Sequence, residues 1–261
     1  MINRVNGQMK NQISTEYKCT KCNGTGWEYY EDDSGTVFAR ECSCGIRERQ
    51  KMVGKLMFAD IPRAFQNVRL DNFSLTIYES DISRKIIEKN MKAVKWWFEH
   101  IEDMKERGMG FYFYSKAKGS GKTRMAISIA NELMYQKNTS VKFATSIQIL
   151  NEIKASWSKE NVNTEQQLIQ DLSRVEVLII DDFGVEIEKE WVMERFYQII
   201  NTRYINNLIT IFTSNVPIDE INEERITNRI IEKCYSLAFP DESIRNQIGM
   251  RNREELKKAI S

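Results

Sequence analysis

A lysine followed by a threonine, at the end of a short glycine-containing stretch, has the residue types of a phosphate-binding loop. The stretch KAKGSGKT runs from Lys116 to Thr123. Small residues let backbone N–H groups converge on a phosphate, and the N-terminal end of a following helix adds positive charge. Lys122 would reach the β- and γ-phosphates of ATP, and Thr123 would ligate Mg²⁺. The predicted nucleotide contacts are Gly119, Ser120, Gly121, Lys122, Thr123 and Arg124.

One position departs from the usual spacing of such loops. Lys116 stands where the pattern G-x-x-x-x-G-K-[ST] has its first glycine. A chance Gly-Ser-Gly turn is therefore an alternative interpretation. The first glycine makes the turn out of the preceding strand, whereas the phosphate contacts come mostly from the later residues. We therefore expect the lysine to strain or reshape the turn more than it abolishes binding.

Two aspartates follow a buried strand farther along the chain. The stretch VEVLIIDDFG ends its apolar run at Asp181 and Asp182, about 60 residues after Lys122. In an α/β sheet this places carboxylates at the carboxyl end of a neighbouring strand, beside the phosphate loop. Asp181 would hold Mg²⁺ through water, and Asp182 would orient or deprotonate the attacking water. A solvated strand end is the alternative for the acids alone, but the two motifs in this order favour an ATP site over chance.

Four of the five cysteines form two close pairs near the N-terminus. Cys19 and Cys22 are spaced C-x-x-C, and Cys42 and Cys44 are spaced C-x-C after a gap of 19 residues. Four thiolates in two pairs suit tetrahedral Zn²⁺, although the second spacing is less common than C-x-x-C. So short a segment cannot bury enough apolar surface to fold unaided, and the metal would therefore be structural. A group of free cysteines is the alternative.

The gap between the cysteine pairs predicts a β-hairpin with its turn at Asp33-Ser34-Gly35. We expect the aromatic residues of this hairpin to pack around the metal site rather than to stack on nucleic-acid bases. These residues are Trp27, Tyr29, Tyr30 and Phe38. The fifth cysteine, Cys234, precedes a buried strand and is expected to be a core thiol.

Helices alternate with continuous apolar strands in the rest of the chain. This alternation predicts an α/β fold with a parallel sheet covered on both faces by helices. One helix is predicted to run unbroken from Ser83 to Arg107, with its apolar residues on one side. The predicted strands are Phe111–Tyr114, Val141–Thr145, Val175–Asp181, Leu208–Asn215 and Tyr235–Phe239. Further helices are predicted over residues 121–136, 147–157, 164–172, 188–206 and 223–232, and from about 243 onwards.

The overall composition is that of an ordinary soluble protein. Of the 261 residues, 38 are basic and 37 are acidic, so the net charge of +1 gives no global argument for a nucleic-acid partner. The sequence has no apolar run of about 18 residues, which a membrane span needs, and its first residues lack the apolar segment of a secretory signal. We therefore expect a cytoplasmic protein in a reducing compartment, with no membrane contact.

Composition divides the chain into four segments. Residues 1–17 are expected to be flexible, 18–46 to form the zinc-binding module, 47–73 a linker helix and loop, and 74–261 the ATPase domain. Between Gly45 and Arg69 lie six basic and two acidic side chains, a local charge of +4. This basic segment motivates contact with single-stranded DNA, and a solvated linker helix is an equally good alternative.

The motifs together resemble the AAA+ ATPases, and more narrowly the bacterial and phage helicase loaders of the DnaC/DnaI type. The resemblance rests on the phosphate loop, the aspartate pair and three further stretches: DDFGVE before a helix with Trp191, FTSN, and ERITNRI. It covers most of the chain, from the cysteines to the C-terminus. It implies an AAA+ phosphate-loop domain that is preceded by a small N-terminal zinc module.

The resemblance also implies roles for four residues. Asn215 matches the sensor-1 position, which hydrogen-bonds the γ-phosphate or the attacking water, and its alternative role is to cap the segment after its strand. Arg225 and Arg229 lie in the segment that carries the arginine finger, which reaches a neighbouring subunit's ATP. Arg229 is preferred, and two solvated arginines are the alternative. Arg245 resembles the sensor-2 arginine of the last helix.

The function that the resemblance implies is ATP-dependent loading of a hexameric replicative DNA helicase onto single-stranded DNA when replication begins. Subunits would self-associate through the arginine fingers, and the N-terminal region would grip the helicase. Lys116, and Asp182 where many members have Glu, are departures compatible with slow, switch-like turnover. The alternatives are an IstB-like ATPase that partners a transposase and a nucleic-acid-binding adaptor in which ATP only orders the fold. The cysteine module favours the loader, since IstB-type proteins generally lack one.

Overall fold

The computed structural model describes residues 19–47, 54, 58–157, 165–184 and 189–260. The chain divides into two compact units, Met1–Gly54 and Lys55–Ser261. The predicted flexible N-terminus lies outside the described residues, and so does much of the basic segment, namely residues 48–53 and 55–57.

The first unit contains a two-stranded antiparallel hairpin of β1 (Trp27–Glu31) and β2 (Val37–Glu41). The register pairs Trp27 with Glu41 and Glu31 with Val37. Asp32 closes the turn, because its Oδ1 accepts hydrogen bonds from the backbone N–H groups of Ser34 and Thr36 at 3.0 and 2.9 Å. The predicted hairpin is confirmed.

The second unit is built on a five-stranded parallel sheet. Its strands are β3 (Gly110–Tyr114), β4 (Val141–Thr145), β5 (Val177–Asp181), β6 (Ile209–Ser214) and β7 (Cys234–Ala238). They lie side by side in the order β4-β5-β6-β3-β7, and every neighbouring pair is parallel. The predicted α/β fold is confirmed. Because all five strands run the same way, their carboxyl ends meet at one edge of the sheet.

Helices supply the two layers that cover the sheet. Alternate residues of each strand face opposite layers, so that Phe111 and Ile179 join one hydrophobic core while Tyr112 and Leu178 join the other. The helices in chain order are α1 (Asp81–Glu99), α2 (Ile101–Arg107), α3 (Lys122–Gln136), α4 (Ser146–Ser156), α5 (Glu165–Arg174), α6 (Glu190–Ile205), α7 (Glu224–Lys233) and α8 (Ile244–Ile260). Two short 3₁₀ helices span Arg63–Phe65 and Ile218–Glu220.

The expected unbroken helix from Ser83 to Arg107 was wrong, because the chain leaves helical geometry at His100 (φ −103°, ψ 29°). Ile101 and Met104, beyond the break, are buried in the same core as the apolar face of α1. The apolar periodicity therefore continues across the break and does not reveal it. Gly108 then ends α2 in a left-handed conformation, where an added Cβ would lie 2.7 Å from the backbone of Asn207.

A buried arginine on α6 joins the amino-terminal end of β6 to the end of α5. The Arg203 guanidinium, on α6, donates hydrogen bonds to the carbonyl oxygens of Leu172, Val175 and Ile209 at 2.6–2.9 Å and to Thr210 Oγ1 at 2.9 Å. Burial lowers the pKa of Arg203 to about 9, so the group stays charged at neutral pH. One side chain thereby holds the end of α5 and the start of β6 together.

Candidate nucleotide site and cysteine cluster

The phosphate loop joins β3 to α3, and two of its glycines are required by geometry. Gly119 and Gly121 have φ of 81° and 102°. A Cβ at Gly121 would lie 2.7 Å from the hydroxyl of Tyr78, which itself donates a 2.8 Å hydrogen bond to the carbonyl of Ser120. The loop is therefore packed from outside by a tyrosine that the motif does not include.

Lys116 occupies the first position of the loop. The non-glycine residues with positive φ in the described part of the chain are Asn23, Asp60, Asn138, Asp182 and Asn207. Lys116 is not among them, so the first loop position does not adopt the left-handed conformation that favours glycine. Its side chain turns outward to an ion pair with Glu220 at 3.0 Å.

Lys122 is buried inside the loop. Its Nζ donates to the carbonyl oxygens of Ser115 and Ala117 at 3.2 and 3.0 Å and to Ser120 Oγ at 3.3 Å. Burial lowers the pKa of Lys122, and the nearby carboxylates, Asp182 first, oppose that shift. An ammonium group held this way is placed to meet an anion that enters the loop.

Asp181 ends β5 and receives two hydroxyl groups on one oxygen. Thr123 Oγ1 donates to Asp181 Oδ1 at 2.8 Å, and Thr213 Oγ1 donates to the same atom at 2.5 Å. Burial raises the pKa of Asp181, while these two hydrogen bonds lower it. The Thr123 hydroxyl at the start of α3 and the Asp181 carboxylate at the end of β5 are in contact. Together they offer the oxygen ligands that Mg²⁺ prefers.

Asp182 and Asn215 lie at the same edge of the sheet. Asp182 adopts a left-handed conformation (φ 54°), and its backbone N–H donates to Thr213 Oγ1 at 3.0 Å. Asn215 Nδ2 donates to Asp182 Oδ1 at 3.4 Å. The structure therefore places the predicted Lys122, Thr123, Asp181, Asp182 and Asn215 around the carboxyl ends of β3, β5 and β6.

Thr213 was missed by the sequence reasoning, although it binds both aspartates. The signal was present in TIFTSN, where a polar residue interrupts a buried strand just before its carboxyl end. A hydroxyl at a fully buried position needs a partner, which would have directed attention to the neighbouring strand end.

Arg245 and Arg124 lie near the loop. The Arg245 side chain approaches Gly119, where an added Cβ would be 3.0 Å from Arg245 Cγ. The backbone N–H of Ile244 donates to the carbonyl of Gly119 at 3.0 Å, which ties the start of α8 to the loop. Arg124 turns away from the loop to the backbone carbonyl and side chain of Asn72, both at 3.5 Å.

Arg225 and Arg229 lie on α7, and both side chains contact Tyr197 of α6. Arg229 donates to Asn201 Oδ1 at 2.8 Å and to the Tyr197 hydroxyl at 3.1 Å. Arg225 pairs with Glu223 at 2.8 Å, and both guanidinium groups lie about 5 Å from the centre of the Tyr197 ring (5.0 and 4.8 Å). Arg229 is partly buried, whereas the Arg225 side chain is 63% exposed.

The four N-terminal cysteines form one cluster. The Sγ atoms of Cys19 and Cys42 are 3.6 Å apart, those of Cys22 and Cys44 are 3.7 Å apart, and all four lie within 4.8 Å of one another. Tetrahedral Zn²⁺ with Zn–S bonds of about 2.3 Å needs sulfur atoms about 3.8 Å apart. Hydrogen bonds from the backbone N–H groups of Cys22 and Lys21 lower the pKa of Cys19 to about 7, which favours the thiolate that a metal requires.

Most of the hairpin aromatics do not pack around these cysteines, contrary to expectation. Tyr29, Tyr30 and Phe38 are 68%, 50% and 43% exposed. Tyr30 and Phe38 stack on each other with ring centres 5.6 Å apart. Within residues 19–47 and 54, the described part of this unit, no second layer packs on the two-stranded hairpin, so these side chains stay uncovered.

The strand order and the contact of Thr123 with Asp181, beside the buried Lys122, are those of a phosphate-loop ATP-binding domain of the AAA+ type. The chain belongs to the family described as IstB-like ATP binding protein, whose model matches residues 36–251. In the described part of the chain, every helix is too short or too polar to cross a membrane.

Named relatives agree with this assignment. The replicative helicase loader DnaC of Buchnera aphidicola subsp. Acyrthosiphon pisum is 27% identical over 209 residues, which cover 78% of this chain and 80% of that one. An uncharacterized protein of Bacillus subtilis, YqaM, is 25% identical over 241 residues, covering 89% of this chain and 71% of that one. The crystal structure of the DnaC helicase loader superposes with a TM-score of 0.57 at 19% identity, covering 69% of this chain and all of that one (100%). The resemblance to AAA+ helicase loaders of the DnaC/DnaI type is thereby confirmed.

The cysteine cluster predicts about one zinc ion per chain in protein purified without chelator. Cys19→Ser should lose the zinc and expose the N-terminal unit to proteolysis, because the hairpin has little core of its own. Metal analysis by mass spectrometry, combined with limited proteolysis, measures both. Cys234→Ser is the matched control and should keep the zinc, since Cys234 is buried beside Thr210 in the other unit. Zinc-free parent protein would contradict the assignment.

Proposed function

We propose that this protein uses ATP to load a hexameric replicative DNA helicase onto single-stranded DNA. The observation that carries the ATP part is the 2.8 Å contact of Thr123 with Asp181, beside the buried Lys122. The helicase part is supported by the name of the DnaC relative. The residues that we propose bind ATP and catalyse its hydrolysis come from the phosphate loop and from the ends of β5 and β6. They converge at one site within one domain.

The nucleotide site works through its own side chains. When ATP and Mg²⁺ are bound, the metal neutralises charge on the phosphates. Thr123 and Asp181 would hold that metal, and Lys122 would turn its N–H donors toward the phosphate oxygens. Asp182 and Asn215, which already contact each other, would orient the attacking water. Aspartate reaches less far than glutamate, so we expect turnover to be slow and the ATPase to act as a switch.

Self-association would complete the site with an arginine from a neighbouring subunit. Arg229 is the preferred finger, because three hydrogen bonds and the Tyr197 ring hold its guanidinium in a fixed position. Arg225, one helical turn away and more exposed, is the alternative. Arg245 would act from the same subunit, since it lies against Gly119 of the phosphate loop.

The N-terminal unit is suited to a protein partner. Its exposed aromatic hairpin carries acidic side chains, among them Glu28, Glu31 and Asp32. Acidic groups repel nucleic-acid phosphates, whereas exposed aromatic side chains are typical of protein interfaces. The hairpin is thus the part of the chain that we propose grips the helicase, with structural zinc bound to the four cysteines.

Contact with single-stranded DNA is proposed for the basic segment from Gly45 to Arg69. Basic side chains attract the phosphate groups of nucleic acid whatever its base sequence. The second candidate function is that of an ATPase that partners a transposase, as IstB-type proteins do. The IstB-like description of the family model supports this candidate. The cysteine cluster favours the loader over that candidate.

The partner is tested by a pull-down from host lysate with ATP, using the parent and Lys122→Ala as paired baits. We expect the parent to retain the replicative helicase and Lys122→Ala to retain less, if the grip depends on bound ATP. Recovery of a transposase would favour the second candidate. Recovery of nucleic acid alone would contradict the loader function.

The arginine finger is tested by steady-state ATP hydrolysis. Arg229→Ala should lower turnover by about a hundredfold while ATP affinity stays within about threefold, because the finger acts on charge in the transition state. Arg225→Ala is the matched control and should change turnover little. Loss of turnover in Arg225→Ala instead would make Arg225 the finger, and unchanged turnover in both variants would contradict a finger from this segment. Absence of ATP hydrolysis by the parent would favour the adaptor in which ATP only orders the fold.

A further inference from the structure

Asp241, which follows β7, is bound to the first turn of the phosphate loop although it lies 126 positions from Ser115. Its Oδ1 is 2.9 Å from Ser115 Oγ and 3.4 Å from the backbone nitrogen of Ala117. Ser115 Oγ in turn accepts a 3.1 Å hydrogen bond from that same nitrogen. The carbonyl oxygen of Pro240 is also 2.9 Å from Ser115 Oγ, so the single hydroxyl hydrogen is shared between two acceptors. Asp241 is the one of the two that also reaches the backbone N–H of Ala117, and it thereby joins both ends of the turn Ser115–Ala117.

The same turn holds Lys122. The carbonyl oxygens of Ser115 and Ala117 are two of the three acceptors of its ammonium group. The direction of those carbonyls decides where the lysine Nζ lies, so any residue that fixes the turn also fixes the lysine. Asp241 is such a residue.

The departure at Lys116 makes this contact more important. A glycine usually shapes the first turn, but Lys116 occupies that position with its side chain paired outward to Glu220. The turn keeps its shape here without a left-handed backbone at that position. The contacts of Asp241 with Ser115 Oγ and with the backbone N–H of Ala117 are side-chain interactions that span the turn and are able to supply this shape.

We propose that Asp241 is a positioning residue for nucleotide binding, which fixes the turn Ser115–Ala117 so that its carbonyls aim Lys122 at the phosphates. This inference rests on the ATP-binding part of the proposed function. Asp241 touches neither phosphate nor metal in the proposal, and it acts only through the turn and the lysine.

Electrostatics alone predicts the opposite effect, which makes the proposal easy to test. Asp241 is a carboxylate close enough to Lys122 to oppose the lowering of the lysine pKa. Removal of such a negative charge beside a phosphate site should strengthen anion binding. Loss of the turn should weaken it, because a misaimed lysine forfeits its charge-assisted hydrogen bonds.

The experiment is a titration of each variant with a fluorescent ATP analogue and Mg²⁺, with thermal unfolding as a check on folding. We expect Asp241→Ala to bind about tenfold more weakly than the parent, the cost of one misaligned charged contact. Asp241→Asn should stay within about threefold, because its amide oxygen accepts the same hydrogen bonds. Ser115→Ala should weaken binding as well, and the double variant Ser115→Ala with Asp241→Ala should be no weaker than about twice Asp241→Ala, since both changes disrupt one turn.

Three results would overturn the proposal: unchanged or tighter binding by Asp241→Ala, equal weakening by Asp241→Asn and Asp241→Ala, or fully multiplicative effects of Ser115→Ala and Asp241→Ala. If Asp241→Ala does not fold, Asp241→Asn and Ser115→Ala still decide the matter. A parent protein that binds no ATP would instead refute the proposed function, so the two failures are distinguishable.

Discussion

The carboxylate of Asp181 is the constraint on which the nucleotide site depends. It is a buried acid, and a buried carboxylate is tolerated only when hydrogen bonds or opposite charge compensate for lost hydration. Thr123 from α3 and Thr213 from β6 donate to a single oxygen, and Lys122 lies nearby as the opposite charge. Satisfying this group therefore brings the phosphate loop and two strand ends to one point.

The parallel sheet makes that convergence possible, and its opposite edge is secured separately. Parallel strands bring their carboxyl ends to one edge, where Asp181, Asp182 and Asn215 lie within reach of the loop. At the other edge the buried Arg203 binds the carbonyls that the start of β6 and the end of α5 leave open. The groups that stabilise the amino-end edge are therefore separate from those that form the site at the carboxyl-end edge.

Sequence spacing predicted those parts of the site that depend on local order. The phosphate loop, the aspartates at the end of β5 and the cysteine pairs all follow from residues close together in the chain or at a strand end. Thr213 and Asp241 were not predicted, because their contacts join residues 32 and 126 positions apart and depend on which strands are neighbours. The break at His100 was hidden because both helices bury the same apolar face. The exposure of Tyr29 was missed because a sequence does not reveal which face of a hairpin other residues cover, and the described residues of this unit do not cover Tyr29.

The central claim is that Thr123 and Asp181 hold the metal that accompanies ATP. The most direct test is the dependence of ATP affinity on Mg²⁺ in the parent and in Asp181→Asn, whose amide oxygen still accepts the two threonine hydrogen bonds. The account predicts that Mg²⁺ raises the parent's affinity by about tenfold or more and has little effect on Asp181→Asn, because a neutral amide is a far weaker ligand for this cation. Mg²⁺-independent binding by the parent, or an undiminished Mg²⁺ effect in Asp181→Asn, would contradict the claim.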